Sequence, residues 1–306
     1  MGTTLGVAAQ GSAARRVRPG RNYARRYWAF ILPAAVVVGA VILFPWVFTL
    51  FMSAQDWHVG GAHSFTGLSN YGRMLTDERF QWAVFRTLYF TLFAVALPVL
   101  FGVAAAVCFH RNFWGRGLAR TIFIMPMMAT PVAIALVWTM MFHPQLGVLN
   151  YLLTSVGLPP SAWVYDPDTV IPTLVMVETW QWTPLVMLIV LGGLASLPSD
   201  PYEAAVLDGA NGWQVFCHVT LPLVWPFIVV AAVIRGIDAL KAFDTIFVIS
   251  NGGPGTASET LNILLYLQAF SFYDIGYASA IVVVFFVLVL LVTLLMLYFR
   301  QRDQLA

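Results

Sequence analysis

Four ionisable residues interrupt long apolar stretches of the sequence, and they are the residues best placed to do chemistry there. They are Glu178, in the apolar segment 169–196, and Arg235, Asp238 and Lys241, in the segment 219–241. Charged side chains inside a bilayer are costly, usually face protein or water, and often mark functional sites. At 1.5 Å per helical residue, Glu178 and Arg235 would both lie roughly 13–15 Å below the same membrane surface, so an ion pair can form between them. Asp238 and Lys241 follow at i+3 intervals, which also allows neutralisation within one helix.

Aromatic and amide side chains follow Glu178 closely, at Trp180, Gln181 and Trp182. A carbohydrate presents hydroxyl edges and apolar ring faces, so a carbohydrate site needs hydrogen-bonding groups beside aromatic rings. Two interpretations remain open. The charges form a structural ion-pair ladder that lets the segment 219–241 insert, or the polar patch lines a translocation path. The sequence shows no pairing of a nucleophile with a base and no metal-ligand spacing, so we predict no catalytic and no metal residues.

The composition indicates what these residues are embedded in. Of 306 residues only 10% are charged and 60% are hydrophobic, with a mean hydropathy of +0.80. An ordinary soluble domain has roughly 25% charged residues, so the chain lacks the polar surface of a soluble globule. The net charge of +2 disfavours nucleic acid as a partner. The sequence therefore predicts an integral membrane protein.

Six apolar segments are long enough to cross a bilayer as helices. They are 27–52, 86–109, 120–142, 169–196, 219–241 and 277–299. Pro126 and Pro131 predict breaks or kinks in the helix of the third segment. The first segment is too long for the apolar core of a cleaved signal peptide, which spans about 7–15 residues, so we interpret it as a retained span.

Basic residues set the predicted orientation, because they collect on the cytoplasmic side. Arginines crowd the tail before residue 27, the loop between the second and third segments, and the C-terminal tail, whereas residues 143–168 contain none. The fold class is therefore all-α, with six transmembrane helices and both termini cytoplasmic. The domain prediction is a disordered, Arg-rich cytoplasmic tail at 1–26, a transmembrane domain at 27–300, and a short cytoplasmic tail at 301–306. Asp77 and Glu78 are interpreted as a solvated face of the first external loop.

The loop 197–222, which joins the fourth and fifth segments, is predicted to lie on the cytoplasmic side. It contains neither Lys nor Arg. Asp200 is a candidate N-cap, Pro201 suits the first helical position, and Glu203 would complete a capping box. Gly209 or Gly212 can end this helix in a left-handed conformation. A helix lying on the membrane surface usually carries basic residues. An acidic helix with a small-residue face suits a basic cleft on a soluble partner better, although a linker helix on the membrane remains the alternative.

This loop resembles the EAA loop of permease subunits in bacterial binding-protein-dependent ABC importers, through Glu203-Ala204-Ala205, Gly209 and Val219-Thr220-Leu221-Pro222. Further similarity to carbohydrate-importer permeases of the maltose type lies at Phe65–Tyr71, Gly147–Asn150, Phe243-Asp244, Gly252-Gly253-Pro254 and Gly276–Ala278. The resemblance implies a coupling helix that contacts an ATPase through Glu203, Ala204, Ala205, Asp208 and Gly209.

The resemblance also implies partners and a location. They are a second, homologous permease subunit, a dimer of ATPase subunits, an extracytoplasmic solute-binding protein and the bilayer of the bacterial cytoplasmic membrane. ATP and Mg²⁺ would be bound by the ATPase partner, because this chain has no phosphate-binding Gly-x4-Gly-Lys-Ser/Thr loop. The chain itself would be a transport subunit and not an enzyme, with no cofactor of its own.

By position, the resemblance places the solute path at Glu178, Gln181, Trp182, Leu185, Arg235, Ala239 and Ala242, with Met127, Met128 and Val132 as looser candidates. The charge pattern adds Asp238.

The predicted function is the permease subunit of an ATP-driven carbohydrate importer. Alternatives are a polyol or glycerol phosphate as the solute, and an ion-coupled secondary transporter that uses Glu178 and Asp238 as ion sites. The sequence leaves the solute unnamed.

Overall fold

The structure is a computed structural model that describes residues 21–61 and 63–303. The predicted tails fall partly outside it, at residues 1–20 and 304–306, whereas residues 21–26 belong to the first helix. Of the described residues, those before Thr49 belong to one compact unit and those from Thr49 onwards to a second. All contacts described below lie within the second unit.

Helices dominate the described chain. They are α1 (Arg21–Ser53), α2 (Ser69–Thr76), α3 (Glu78–His110), α4 (Arg116–Met128), α5 (Pro131–Met141), α6 (Val148–Ser155), α7 (Val170–Ala195), α8 (Asp200–Leu207), α9 (Gly212–Val215), α10 (Leu221–Leu240), α11 (Asp244–Ser250), α12 (Leu261–Phe270) and α13 (Ile275–Asp303). A 3₁₀ turn covers Trp163–Tyr165, and a π-helical turn, Phe216–Thr220, joins α9 to α10. Two antiparallel strands of two residues each, β1 (Gln55–Asp56) and β2 (Ser64–Phe65), are a small exception to the all-α prediction.

Five described helices are long and apolar enough to cross a membrane, and the count reaches six if a bent pair is one span. That pair is α4 and α5, which meet at an angle of 97°. The third predicted segment, 120–142, is therefore occupied by two helices with a break between them. The break lies at Ala129 and Thr130, which take extended backbone conformations.

The fifth predicted span begins earlier than expected. Its helix runs from Gly212 to Leu240, 29 residues, rather than from residue 219. Pro222 is accommodated without a break, because the π-helical turn of Phe216–Thr220 lies just before it. A π-bulge changes the hydrogen-bond register within a helix, which suits a residue that cannot donate a backbone hydrogen bond. The segment between α7 and this helix is correspondingly short.

Helices α3 and α7 form the most extensive helix pair of the bundle and run in the same direction. Gly102 of α3 lies directly against α7. A Cβ atom there would be 2.6 Å from Cβ of Val186 and 3.1 Å from the backbone nitrogen of Met187. Glycine is therefore required for this close approach, which fixes α7, the helix that carries Glu178, against α3.

Ion pairs hold together the end of the bundle where α3 and α7 begin. Arg79 donates two hydrogen bonds to the buried Glu259 carboxylate, at 2.7 and 2.6 Å. Arg73 pairs with the buried Asp274 at 2.8 Å. Asp77 caps α3 and accepts a hydrogen bond of 2.6 Å from the Tyr277 hydroxyl. The interpretation of Asp77 as part of a solvated face is therefore wrong, whereas Glu78 is exposed.

Candidate functional site

Glu178 and Arg235 form an ion pair in the middle of the bundle, which confirms the pairing that their matching depths allowed. Nη2 of Arg235 donates a hydrogen bond of 2.9 Å to Oε2 of Glu178. The hydroxyl of Thr245 donates to Oε1 of the same carboxylate at 3.2 Å. The two charged side chains are only 1% and 5% exposed, so they neutralise each other away from solvent. The cluster ties α7, α10 and α11 together.

Two polar groups beside this pair have unused hydrogen-bonding capacity. Gln181 is fully buried, and within the described chain neither of its amide atoms has a partner. Nε of Arg235 is also buried without a partner. The guanidinium group lies over the Trp182 ring, with its central carbon 4.7 Å from the ring centroid. Buried polar groups without partners are rare in folded proteins, so these atoms are available to water or a polar ligand.

The other predicted path residues differ in accessibility. Ala239 is buried, Leu185 and Ala242 are half-buried, and Asp238 and Lys241 are exposed. Neither Asp238 nor Lys241 has an ion-pair partner among the described residues, and Lys241 lies one residue beyond the end of α10. The direct ion pair of Arg235 is therefore formed between helices, with Glu178, and not along its own helix.

Trp180 does not belong to the polar patch. At about 100° per residue it lies roughly 160° around α7 from Glu178. Its ring packs edge-on against Trp138 with centroids 5.5 Å apart, and it lines an apolar groove between α3, α4 and α7. Helical periodicity alone separates Trp180 from Trp182, so this placement could have been predicted from the sequence.

The looser candidates Met127, Met128 and Val132 flank the break between α4 and α5. Met127 is half-buried, while Met128 and Val132 are exposed. The structure brings none of them into a recorded polar contact with Glu178 or Arg235. Their place in the path stays a prediction.

The helix predicted in the loop 197–222 is present as α8, Asp200–Leu207, while its coupling role stays a prediction. The helix is terminated by Gly209, one of the two glycines predicted to end it, and Gly209 has the left-handed φ of +75°. The backbone nitrogens of Gly209 and Ala210 donate to the carbonyls of Val206 and Ala205, at 3.1 and 3.0 Å. This is the Schellman arrangement, which favours glycine at the left-handed position. The orientation of α8 relative to the next helix is thereby fixed by backbone hydrogen bonds.

The predicted capping box at the start of α8 is wrong. The residue before the helix is Ser199, and no side chain caps the helix there. A capping box occurs instead at the start of α9, where the Asn211 side chain accepts from the Gln214 nitrogen at 2.9 Å. The Gln214 side chain in turn accepts from the Asn211 nitrogen at 2.8 Å. The following helix thus has a defined first turn immediately beyond α8.

The surface around α8 combines acidic and apolar side chains. Asp200, Glu203 and Asp208 are exposed, and so are the apolar side chains of Val206 and Leu207. Ala204 is exposed and Ala205 is half-buried, so the small-residue face is open at least in part. Exposed apolar side chains rimmed by charge are typical of protein interaction sites.

Among the residues that the structure describes, no group of three or more His, Cys, Asp or Glu side chains is placed to hold a metal ion. Both cysteines, Cys108 and Cys217, are free thiols. The candidate functional features are therefore a buried polar cluster in a helical bundle and an acidic loop at one end. This combination defines a multi-pass membrane protein with a polar interior.

Comparisons with known proteins identify the class. The family model described as "Binding-protein-dependent transport system inner membrane component" matches residues 98–303, and the chain belongs to this family. The predicted resemblance to permease subunits of ABC importers is confirmed. The prediction that the chain is a transport subunit rather than an enzyme is confirmed by the same family.

Curated relatives extend over most of the chain. A probable ABC transporter permease of Sinorhizobium fredii is 37% identical over 276 residues, which cover 89% of both chains. The trehalose/maltose transport system permease of Thermococcus litoralis is 35% identical over 265 residues, covering 85% of this chain and 88% of the relative. The trehalose transport system permease of Mycobacterium tuberculosis is 34% identical over 273 residues, covering 88% and 87%.

The fold agrees with a solved structure of a bacterial alginate ABC transporter in complex with a periplasmic protein that carries an alginate pentasaccharide. The TM-score is 0.79 at 20% sequence identity, and the match covers 92% of this chain and 96% of that one. At this identity the likeness shows the fold.

Proposed function

We propose that this chain is one of two membrane-spanning subunits of an ATP-driven carbohydrate importer. It would form half of the translocation path beside a second, homologous permease. A dimer of ATPase subunits would bind ATP and Mg²⁺ inside the cell, and a solute-binding protein would deliver the carbohydrate outside. Family membership and the names of the relatives support the proposal, since two of them are permeases for trehalose or maltose.

In this proposal the loop 197–222 lies in the cytoplasm, with both termini, and the chain crosses the bacterial cytoplasmic membrane six times. The α4–α5 pair then counts as one broken span. The abundance of arginine outside the apolar segments on that side supports the orientation. Labelling of single cysteines introduced at Asn211 and at Gln145 tests it. The cysteines are introduced into a chain that lacks Cys108 and Cys217, and a membrane-impermeant thiol reagent is added to intact spheroplasts or protoplasts. Only the Gln145 variant should react with the reagent.

The observation that carries the coupling role is the exposed acidic and apolar surface of α8, which has no basic residue. Glu203, Ala204, Ala205, Asp208 and Gly209 would contact a basic groove on the ATPase. When the ATPase binds ATP and moves, α8 would move with it. The hydrogen-bonded connection at Gly209 and Asn211 would transmit this movement to the helix Gly212–Leu240. The loop thereby couples ATPase closure to a change in the bundle.

Glu203→Lys tests the coupling role. It reverses a charge on the proposed contact, so the ATPase should no longer copurify with the membrane subunits. Glu78→Lys is the matched control, because Glu78 is an exposed glutamate at the other end of the bundle. Equal ATPase recovery from both variants would contradict the assignment of α8.

The solute path would run past Glu178, Gln181, Trp182, Leu185, Arg235, Asp238, Ala239 and Ala242. Since Glu178 and Arg235 neutralise each other, the path offers little net charge at its centre, which favours a neutral solute such as a mono- or oligosaccharide over a glycerol phosphate. Gln181 would supply free amide donors and acceptors and Trp182 an apolar ring face. An ion-coupled mechanism is disfavoured because the Glu178 carboxylate is already bound by Arg235 and Thr245.

The tryptophans of α7 offer a matched test of the path. Trp182→Ala should reduce uptake of radiolabelled carbohydrate at least tenfold without loss of ATPase copurification, because its ring lies beside the polar cluster. Trp180→Ala removes the same side chain from the opposite face and should leave uptake within about twofold of wild type. If the Trp180 variant loses uptake while the Trp182 variant keeps it, the proposed path is on the wrong face of α7.

A further inference from the structure

An apolar groove lies on the bundle surface near the coupling loop, between the C-terminal half of α3 and the helix Gly212–Leu240. Its volume is about 760 Å³. The lining includes Val99, Val103 and Ala104 from one side and Trp213, Trp225 and Ile228 from the other. One lining residue is charged, and that residue is Arg111, which caps the C-terminal end of α3.

Arg111 is free to bind an anion. Its side chain is exposed, and no carboxylate of the described residues lies within ion-pair distance of it. Arg116, in the same loop, differs, because it donates a hydrogen bond of 2.7 Å to the Asn112 side chain. Two other surface grooves of the bundle have no charged lining residue, one between α3, α4 and α7 and one between α3, α10 and α13.

The dimensions of the groove match a lipid. Twelve residues separate Arg111 from Val99, which at 1.5 Å each gives about 18 Å along the helix axis. One leaflet of a bilayer is about half of the ~30 Å hydrocarbon core, so the groove spans roughly one leaflet. Trp213 lines the same end as Arg111, and tryptophan favours the level of the lipid headgroups. The charge is therefore at headgroup depth and the apolar lining at acyl-chain depth.

We propose that this groove binds an anionic phospholipid, with an acyl chain along Val99, Val103 and Ala104 and the phosphate at Arg111. Basic side chains between membrane helices on the cytoplasmic side are suited to anionic headgroups. The proposal rests on the proposed function in one respect, since that function places this end of the bundle at the cytoplasmic leaflet.

The site also makes contact with the coupling region. Gly212 and Trp213 line the groove and are the first residues of the helix that follows α8. A bound lipid would therefore hold the start of this helix against α3 during each movement of the coupling loop. The lipid composition of the inner leaflet would therefore change how strongly movement of the ATPase is transmitted to the helical bundle.

The test uses the assembled transporter in lipid nanodiscs that contain a phospholipid with a photoreactive acyl chain. The headgroup is phosphatidylglycerol or phosphatidylcholine, with identical chains. After illumination, the yield of labelled peptide from residues 99–107 is measured by mass spectrometry. Phosphatidylglycerol should label this peptide more strongly in the wild-type chain. Arg111→Gln should lower that labelling about fivefold, which is what one arginine near an anionic surface contributes, and leave phosphatidylcholine labelling unchanged.

Three variants make the result decisive. Arg111→Lys keeps the charge and should retain the preference, and Arg116→Gln should behave as wild type. Ala104→Trp fills the groove and should lower labelling by both lipids. Equal labelling by the two lipids in the wild-type chain, or unchanged labelling in the Arg111→Gln variant, would overturn the proposal. ATPase copurification is measured in the same samples, so a failure of the proposed coupling is recorded separately from a failure of lipid binding.

Discussion

The buried ion pair provides the sharpest test of how this bundle is held together. Glu178→Leu would leave the Arg235 guanidinium, 1% exposed, without its carboxylate. An unpaired buried charge costs about 3–5 kcal/mol, and loss of the 3.2 Å bond from Thr245 adds about 1 kcal/mol. We therefore expect Glu178→Leu to destabilise the purified transporter by about 4–6 kcal/mol.

Removal of both charges should be far less damaging than removal of one. Replacement of a buried ion pair by apolar side chains of similar volume is often neutral or stabilising, so Glu178→Leu combined with Arg235→Met should recover most of the loss. The assay is thermal unfolding of the detergent-solubilised complex for the two single variants and the double variant. The difference between the double variant and the sum of the single variants gives the coupling energy of the pair, expected at more than about 2 kcal/mol.

Asp238→Asn is the control, because Asp238 is exposed on the same helix and has no ion-pair partner in the described chain. It should change stability by less than about 0.5 kcal/mol. The reasoning is refuted if Glu178→Leu is no more harmful than Asp238→Asn, or if the two single effects at Glu178 and Arg235 simply add. Carbohydrate uptake by the stable double variant then separates the roles: normal uptake would assign the pair to structure, and loss of uptake would assign it to the path.

Further predictions concern backbone geometry and a loop. Gly209→Ala places a Cβ atom at a residue with φ of +75°, so it should lower the free energy of unfolding by about 1 kcal/mol and reduce ATPase-coupled uptake. Gly212→Ala is the control, because Gly212 also has open space around it but no positive φ, and neither stability nor uptake should change. Asn150→Ala removes two donated and two accepted hydrogen bonds that join α6 to the loops before and after it, and should lower stability by about 2–3 kcal/mol in thermal unfolding. Gly276→Ala would bring a Cβ atom into the Gln55 carbonyl oxygen and should abolish assembly, measured by membrane yield. Gly72→Ala, with nothing within 4 Å of the new Cβ, should assemble normally.

The sequence was sufficient for features that depend on local pattern. Runs without charge coincide with most of the long apolar helices, and Gly209 and Gly212 were the two candidates for the end of α8, of which the structure places Gly209 there. Depth counting brought Glu178 and Arg235 to the same level, since a helix has a fixed rise. The roles of these residues in transport stay predictions.

Features that depend on distant partners were not accessible in this way. Arg79 and Glu259 are 180 positions apart, and nothing in either local sequence indicates the other. The size of the bend between α4 and α5 was not accessible either, because Pro126 and Pro131 predict a break or a kink but not its angle, which packing decides. Pro126 lies inside α4, whereas Pro131 starts α5, so only the second proline marks the break.

The ion pairs at the end of the bundle opposite the loop 197–222 determine how that end responds to ionic strength. In each pair the carboxylate is buried, 3% exposed for Glu259 and 6% for Asp274, whereas Arg79 and Arg73 are 33% and 51% exposed. Dissolved anions can reach the arginines, but dissolved cations cannot easily reach the carboxylates, so salt can compete for only one partner. Dissociation would leave a buried negative charge, which keeps the pairs closed. If the chain has the proposed orientation, this end of the bundle faces the outside of the cell, and changes in external salt should weaken its ion pairs little.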